Sequence, residues 1–194
     1  REYRRLQHAF RLDGISGVPH WAQPAEGVSP EFRHVAWGNN RPVAYRLRVP
    51  AGAAKRVMLG FCESYKKYLF QRTATMEVEG AATQAVDLAL NAPHHAPQVF
   101  LFDARDENND GWINLRVFAP QGQDPNSTLA TIAVYPAGTT LSRDELVAGS
   151  LAPKDRAEPR IACGREMDRQ PARTDLVHAR YTGDLAPALF IKTK

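Results

Sequence analysis

At 194 residues, with 43% hydrophobic and 24% charged side chains, the chain has the make-up of a globular protein that can bury a core, which excludes disorder as its default state. Its net charge of +4 comes from 25 Lys and Arg scattered among 21 Asp and Glu, so the basic block that nucleic acid requires is missing. No window approaches the ~18 apolar residues of a spanning helix, and neither nucleic acid nor a membrane is expected as a partner. The opening Arg1-Glu2-Tyr3-Arg4-Arg5 lacks a signal-peptide pattern, which points to a processed or excerpted sequence.

Residues 1–30 read as an N-terminal arm or linker. Tyr3, Leu6 and Phe10 have the spacing of one side of a short helix or a docked arm, and the Gly- and Pro-rich stretch around Trp21 reads as irregular chain, with Trp21 plugging one end of a sandwich or serving as a ligand platform. A short strand is expected from Phe32 to Trp37, ending in the turn Gly38-Asn39-Asn40-Arg41-Pro42. Val43, Tyr45, Leu47 and Val49 then alternate with Ala44, Arg46 and Arg48, which is the pattern of an antiparallel strand with one wet face. Val57 to Cys62 is apolar on both faces and should be central. A polar, aromatic-rich loop from Glu63 to Arg72 leaves this strand, and Thr73 to Glu79 alternates again before Gly80.

Val86, Leu88 and Leu90 continue the alternation. His94 and His95 follow in a loop, where an extended chain would point their rings apart. Gln98 to Asp103 and Trp112 to Phe118 read as a hairpin pair, and Leu129 to Tyr135 as a further strand. Ser142 and Glu145 make a capping box for a helix that Gly149 would end, and Ser150 to Pro159 reads as a linker. Val177 to Tyr181 and Ala188 to Lys192 look like two more strands. The fold expected is an all-β jelly-roll β-sandwich of about eight antiparallel strands with one short helix and a C-terminal extension. The sandwich would occupy residues 31–150, with residues 151–194 packing on it or opening a second domain.

The run Val57-Met58-Leu59-Gly60-Phe61-Cys62-Glu63-Ser64-Tyr65, preceded by Tyr45 to Gly52 and followed by Met76-Glu77-Val78-Glu79-Gly80, resembles the malectin and malectin-like carbohydrate-binding domains. That group has a strand ending in Phe-Ala-Glu, a loop with aromatics, and a strand ending in Asn-Gly. Here Cys62 stands for the Ala and Glu79 for the Asn, and the resemblance spans residues 31–136. Arg160-Ile161-Ala162-Cys163-Gly164 is similar to the Asp-Cys-Gly entry strand of a malectin-like domain, with Ala162 in place of Asp. The resemblance implies a jelly roll outside the cytoplasm and gives Tyr65 the place of a ligand-stacking Tyr. Lys66 stands where malectin has Phe, so the sugar recognised should differ.

No nucleophile elbow, phosphate-binding loop or zinc-protease motif is present. Glu63 with Asp103 or Asp106 could form a glycosidase pair only if the fold brought them together. A non-catalytic sugar-binding module is therefore expected, accessory to a larger secreted or surface protein. Tyr65, Tyr68 and Trp37 would stack on oligo- or polysaccharide rings, and Glu63, Lys66, Asn39, Asn40 and Arg41 would read hydroxyls. A structural sandwich that docks on neighbouring domains of the same polypeptide is the alternative. No cofactor is expected unless Asp106, Asn108 and Asp110, which match the first half of a calcium loop whose position 12 is Val117, hold Ca²⁺. The two cysteines, Cys62 and Cys163, are expected as free buried thiols.

Overall fold

Period-2 alternation decides which side chains the strands bury. The computed structural model describes residues 9–12, 15–18, 20–38, 40–119, 124–148 and 158–163. Their strands are, in chain order, β1 (Ala9–Leu12), β2 (Ile15–Val18), β3 (Val35–Gly38), β4 (Val43–Arg48), β5 (Ala54–Cys62), β6 (Thr73–Val78), β7 (Gln84–Asp87), β8 (Pro97–Arg105), β9 (Trp112–Phe118), β10 (Thr128–Leu129), β11 (Thr131–Pro136) and β12 (Glu158–Ala162). Two short helices, α1 (Leu88–Asn91) and α2 (Arg143–Ala148), and a 3₁₀ turn at Pro30–Arg33 accompany them.

A five-stranded sheet, β1-β4-β9-β6-β7, faces a four-stranded sheet, β12-β11-β5-β8, and a three-stranded sheet, β10-β3-β2, closes one side. Every pairing is antiparallel, so this is the expected all-β sandwich. Between the main sheets, Val43, Tyr45 and Leu47 of β4, Ile113, Leu115 and Val117 of β9, and Ala74, Met76 and Val78 of β6 meet Val57, Leu59 and Phe61 of β5 and Ile132 of β11. Each of these positions is the inward half of an alternation visible in the sequence.

β5 lies between β11 and β8 and is buried from Val57 to Cys62, because its sheet is covered on both faces. On the outer face Met58 packs with Ala133, Tyr135 and Leu146 of α2, while Cys62 packs with Ala22 and Phe32. α2 begins as the sequence indicates: the Glu145 carboxylate accepts from the Ser142 N–H at 2.8 Å and hydroxyl at 2.7 Å, and these bonds hold the Glu145 carboxyl below its usual range.

Several expectations are corrected. Gln98 to Asp103 and Trp112 to Phe118 are not a hairpin, since β8 pairs with β5 along its whole length and β9 lies between β4 and β6 in the opposite sheet. The loop between them crosses from sheet to sheet, and buried Asp106 fixes that crossing by accepting from Gly52 N–H and Gly111 N–H, both at 2.9 Å. The strand expected through Leu90 stops at Asp87, whose carboxylate caps α1 by accepting from Ala89 and Leu90 N–H. Phe32 belongs to the 3₁₀ turn, with Pro30 at its start, and the strand begins at Val35. The His94 and His95 rings lie 4.3 Å apart, not splayed, because His95 has φ +64° and the chain there is not extended.

Within the segment read as an arm, β1 pairs with β4 and β2 with β3; within the C-terminal segment, β12 pairs with β11. Cys163 follows β12 fully buried, its N–H donating to Ala130 C=O at 3.0 Å and its C=O accepting from the Tyr45 hydroxyl at 3.4 Å. Gly149, the 150–157 part of the linker and the strands expected at Val177 to Tyr181 and Ala188 to Lys192 lie outside the described residues.

Both cysteines are free and buried. The Cys62 thiol donates to His95 C=O at 3.2 Å, and burial first, then the nearby Glu63, pushes its pKa up to about 12. The thiolate is the reactive form, so alkylation of the native protein should be slow at neutral pH and both thiols should label at once after denaturation. Mass spectrometry of the alkylated protein in the two conditions checks this; rapid native labelling of Cys62 would contradict it.

Candidate functional site

The site grows from the end of β5. Glu63 is buried, and its Oε1 accepts from the backbone N–H groups of Ser64, Tyr65 and Lys66 at 3.1, 2.8 and 2.8 Å. One carboxylate thus folds the next three residues into a turn around itself, in the manner of a helix cap. Its other oxygen meets Arg72 Nε at 2.6 Å, and Arg72 is equally buried. Arg72 also reaches Asp124 Oδ2 at 3.0 Å and the Asn126 C=O at 2.7 Å. Lys66 Nζ completes the cluster, 3.2 Å from the same Asp124 oxygen. Burial raises the Asp124 carboxyl, but the Asn126 N–H, Arg72 and Lys66 outweigh it, so the group is held below its ordinary value.

An aromatic edge stands beside this ionic floor. The Trp21 indole N–H donates to Cys62 C=O at 3.2 Å and the Trp21 C=O accepts from the Ser64 hydroxyl, so two bonds fix the indole across the strand end. The Tyr65 ring lies 6.1 Å from the Trp21 ring at a 43° tilt, and Lys66 Nζ lies 5.0 Å from the Tyr65 centroid. Tyr65 therefore combines a backbone locked by a buried carboxylate with a ring that is 66% exposed. Behind it, the Glu63 C=O accepts from the His95 N–H at 2.7 Å, and Gln23 N–H donates to His95 Nδ1 at 3.3 Å. Burial lowers the His95 pKa, His94 and Lys67 add to the effect, and Glu63 opposes it.

The residues expected to bind divide into groups. Glu63, Tyr65 and Lys66 come together, with Glu63 as an internal support. Tyr68 is exposed further along the loop, its N–H held by Gln71 Oε1 at 3.1 Å. Asn40 is tied to the cluster through its N–H, which donates to Asn126 Oδ1 at 3.0 Å, and Arg41 follows on the surface with its C=O accepting from the Ser127 hydroxyl at 2.7 Å. Trp37 is half-buried in the middle of the three-stranded sheet, paired with Ser16 and Thr128. Asn39 lies outside the described residues.

Asp124 and Asn126 were missed as site residues. Asp124-Pro125-Asn126 carries an Asx-turn pattern, with Asn126 N–H donating to Asp124 Oδ1 at 2.9 Å, and that signal marks a turn without revealing its distant partners.

At the other loop the acidic side chains are engaged with backbone. Asp106 and Asn108 both accept from Asp110 N–H, at 3.2 and 2.9 Å, and Asp110 accepts from Trp112 N–H at 2.9 Å. This is the bonding of a self-capped turn, and among the described residues no group of three or more His, Cys, Asp and Glu is placed to hold a metal. Glu63 leaves one end of β5, whereas Asp103 pairs with Arg56 and Asp106 N–H donates to Ala53 C=O near its other end, so the fold does not bring them together as a glycosidase pair.

No protein-family model matches the chain, and no curated protein matches it. Solved structures do. The ANX1 ectodomain from Arabidopsis thaliana is similar with a TM-score of 0.54 at 12% identity, over 69% of this chain and 41% of its own. The ANXUR2 extracellular domain from the same plant gives 0.53 at 14% identity, over 69% and 42%. A chain in the complex of the plant peptide RALF23 with FER and LLG2 gives 0.54 at 16% identity, over 69% and 42%. The chain spans about two fifths of the length of each of these neighbours. The described residues thus have the fold of malectin-like ectodomains, the group whose strand-end tripeptide Phe61-Cys62-Glu63 resembles.

Proposed function

We propose that the chain is a non-catalytic carbohydrate-binding module that works outside the cytoplasm as part of a longer polypeptide. The observation that carries this reading is the combination at Tyr65. Its backbone is pinned by Glu63, its ring is largely exposed beside Trp21, and the Lys66 ammonium stands 5.0 Å from the ring centroid. Sugars bind by stacking C–H faces on aromatic rings while a few converging polar groups read the hydroxyls. A ring fixed before the ligand arrives loses little freedom on binding. Lys66 Nζ, held 3.2 Å from Asp124 Oδ2, keeps further N–H donors for a hydroxyl ligand at the Tyr65 ring.

Tyr65→Ala should lower oligosaccharide affinity by about two- to tenfold, the value of an aromatic contact beyond its area, and should leave the melting temperature nearly unchanged. A glycan array on the intact chain identifies the ligand, and calorimetry on the variant measures the loss. A variant that melts several degrees lower while binding as before would make Tyr65 a packing residue and sink the proposal.

A second reading has one observation in its favour: a neighbour of the same fold was solved with a peptide and a protein partner. In that reading the Tyr65 end docks a protein segment, and the array would show no sugar bound.

A further inference from the structure

Two imidazoles lie behind the Tyr65 site, and one of them is tied to both of the segments that build it. His95 N–H donates to Glu63 C=O at 2.7 Å and His95 C=O accepts from the Cys62 thiol at 3.2 Å, so the backbone of the turn at 93–96 grips the end of β5. Its ring grips the other side. His95 Nδ1 accepts at 3.3 Å from the N–H of Gln23, two residues beyond Trp21, whose indole N–H bonds Cys62 C=O and whose C=O bonds the Ser64 hydroxyl. One residue therefore joins the Trp21 segment to the strand end from which Glu63 holds Tyr65.

The bond to Gln23 fixes a protonation state. A backbone N–H can only donate, so Nδ1 must offer its lone pair and the ring must be the neutral tautomer protonated at Nε2. A proton on Nδ1 would set one donor against another across 3.3 Å, and the bond would open.

The groups around the ring favour the neutral form. The His94 ring stands 4.3 Å away on the same turn, Lys67 acts from the loop between β5 and β6, and the Glu63 carboxylate is already engaged by Arg72. The Cys62 thiol, its pKa pushed up to about 12, adds no charge at neutral pH, and Arg143 of α2 donates to Pro97 C=O two residues further on. Burial first, then His94 and Lys67, outweigh Glu63 and hold the His95 pKa below its ordinary 6.5. A depressed imidazole contributes stability that is complete above the unfolded pKa and is lost as pH falls through the folded one, so acid is the direction that breaks the bond.

We infer that the turn at His94 and His95 is an acid-sensitive clasp on the Tyr65 site, closed while His95 is neutral and opened when Nδ1 is protonated. The consequence for a ligand rests on the sugar-binding reading of Tyr65; the opening itself does not. Once Gln23 is released, the segment carrying Trp21 has one tie fewer to the strand end, and part of the binding free energy goes into re-ordering that aromatic edge.

A pH titration of the full chain, followed at the Gln23 amide in ¹⁵N–¹H spectra, tests the clasp. From about pH 7.5 to about pH 5 the wild-type amide should shift with a midpoint below the ordinary histidine value of about 6.5. His95→Asn should keep the clasp shut: its Oδ1 hangs from Cγ as Nδ1 does, accepts without titrating, and Asn tolerates the φ of +64° found there. In that variant the Gln23 amide should stay fixed. Oligosaccharide affinity of the wild type should fall about fivefold over the same range, the worth of one hydrogen bond, while His95→Asn should bind equally at both ends. A Gln23 amide that stays fixed in the wild type, or that moves alike in both proteins, would overturn the inference. So would an amide that titrates while wild-type affinity stays constant. If no glycan binds at either pH, the sugar reading fails and the amide titration alone decides the clasp.

Discussion

Arg72→Met should destabilise the protein by about 3–5 kcal/mol, the cost of removing one partner from a buried ion pair and leaving the other charge uncompensated. Arg72 is 3% exposed between two buried carboxylates, Glu63 at 2.6 Å and Asp124 at 3.0 Å, and Met fills most of its volume without neutralising either. Urea denaturation measures the loss. Glu63→Gln added to Arg72→Met should recover part of it, because Gln keeps an oxygen for the N–H groups of Ser64, Tyr65 and Lys66 but carries no charge. A double variant no more stable than the single one would show that the penalty comes from lost packing.

The same cluster gives the fold a pH dependence with a definite sign. Asp124 titrates below its ordinary 3.8 in the folded state. A depressed carboxylate contributes stability that is complete above the unfolded pKa and is lost as pH falls through the folded one. The wild type should therefore weaken as pH falls below about 4, and Arg72→Met should weaken less steeply, since its Asp124 has lost a cation that held the pKa down.

Gly60→Ala should cost about 2–3 kcal/mol, at the upper part of the range for overpacking a filled core. A Cβ at Gly60 would stand 2.5 Å from Thr131 Cγ2 and 2.8 Å from Phe32 Cε1, on a central strand where neither neighbour has room to withdraw. Thr131→Ser removes the nearer methyl and keeps the hydroxyl, so Gly60→Ala/Thr131→Ser should be more stable than Gly60→Ala alone. Thermal melts of the four proteins in this cycle decide it. Additive effects would mean that the backbone moves aside, and the close approach of Phe32 to β5 would then be incidental.

Periodicity in the chain was sufficient for the strands whose faces face unlike surroundings. Val43 to Arg48 and Thr73 to Val78 each declare their buried face, because a strand residue's side is set by its parity and a misregistered strand would turn its apolar set to water. The Ser142–Glu145 cap was legible for the same kind of reason, being complete within four residues. Glu63 could be seen at a strand end next to the aromatic loop, and the tripeptide it closes pointed to the fold.

What stayed hidden depends on residues far apart in the chain. Asp106 to Gly111 reads locally as a hairpin turn, and only the long pairing of β8 with β5 sends the chain across to the other sheet. Leu90 alternates like a strand residue until Asp87 is free to cap a helix. The site is the clearest case. Glu63, Arg72 and Asp124 are charges that no sequence pattern links, yet desolvation makes each of them untenable unless the other two are present. Local hydrogen bonds and side-chain parity act over a few residues, so the sequence alone determined strands such as Val43 to Arg48 and Thr73 to Val78, the cap and the aromatic loop. Burial and charge compensation act through space, so the tertiary structure alone decided that Glu63 supports the loop, that Trp21 stands beside Tyr65, and that Arg72 reaches Asn126, which holds Asn40.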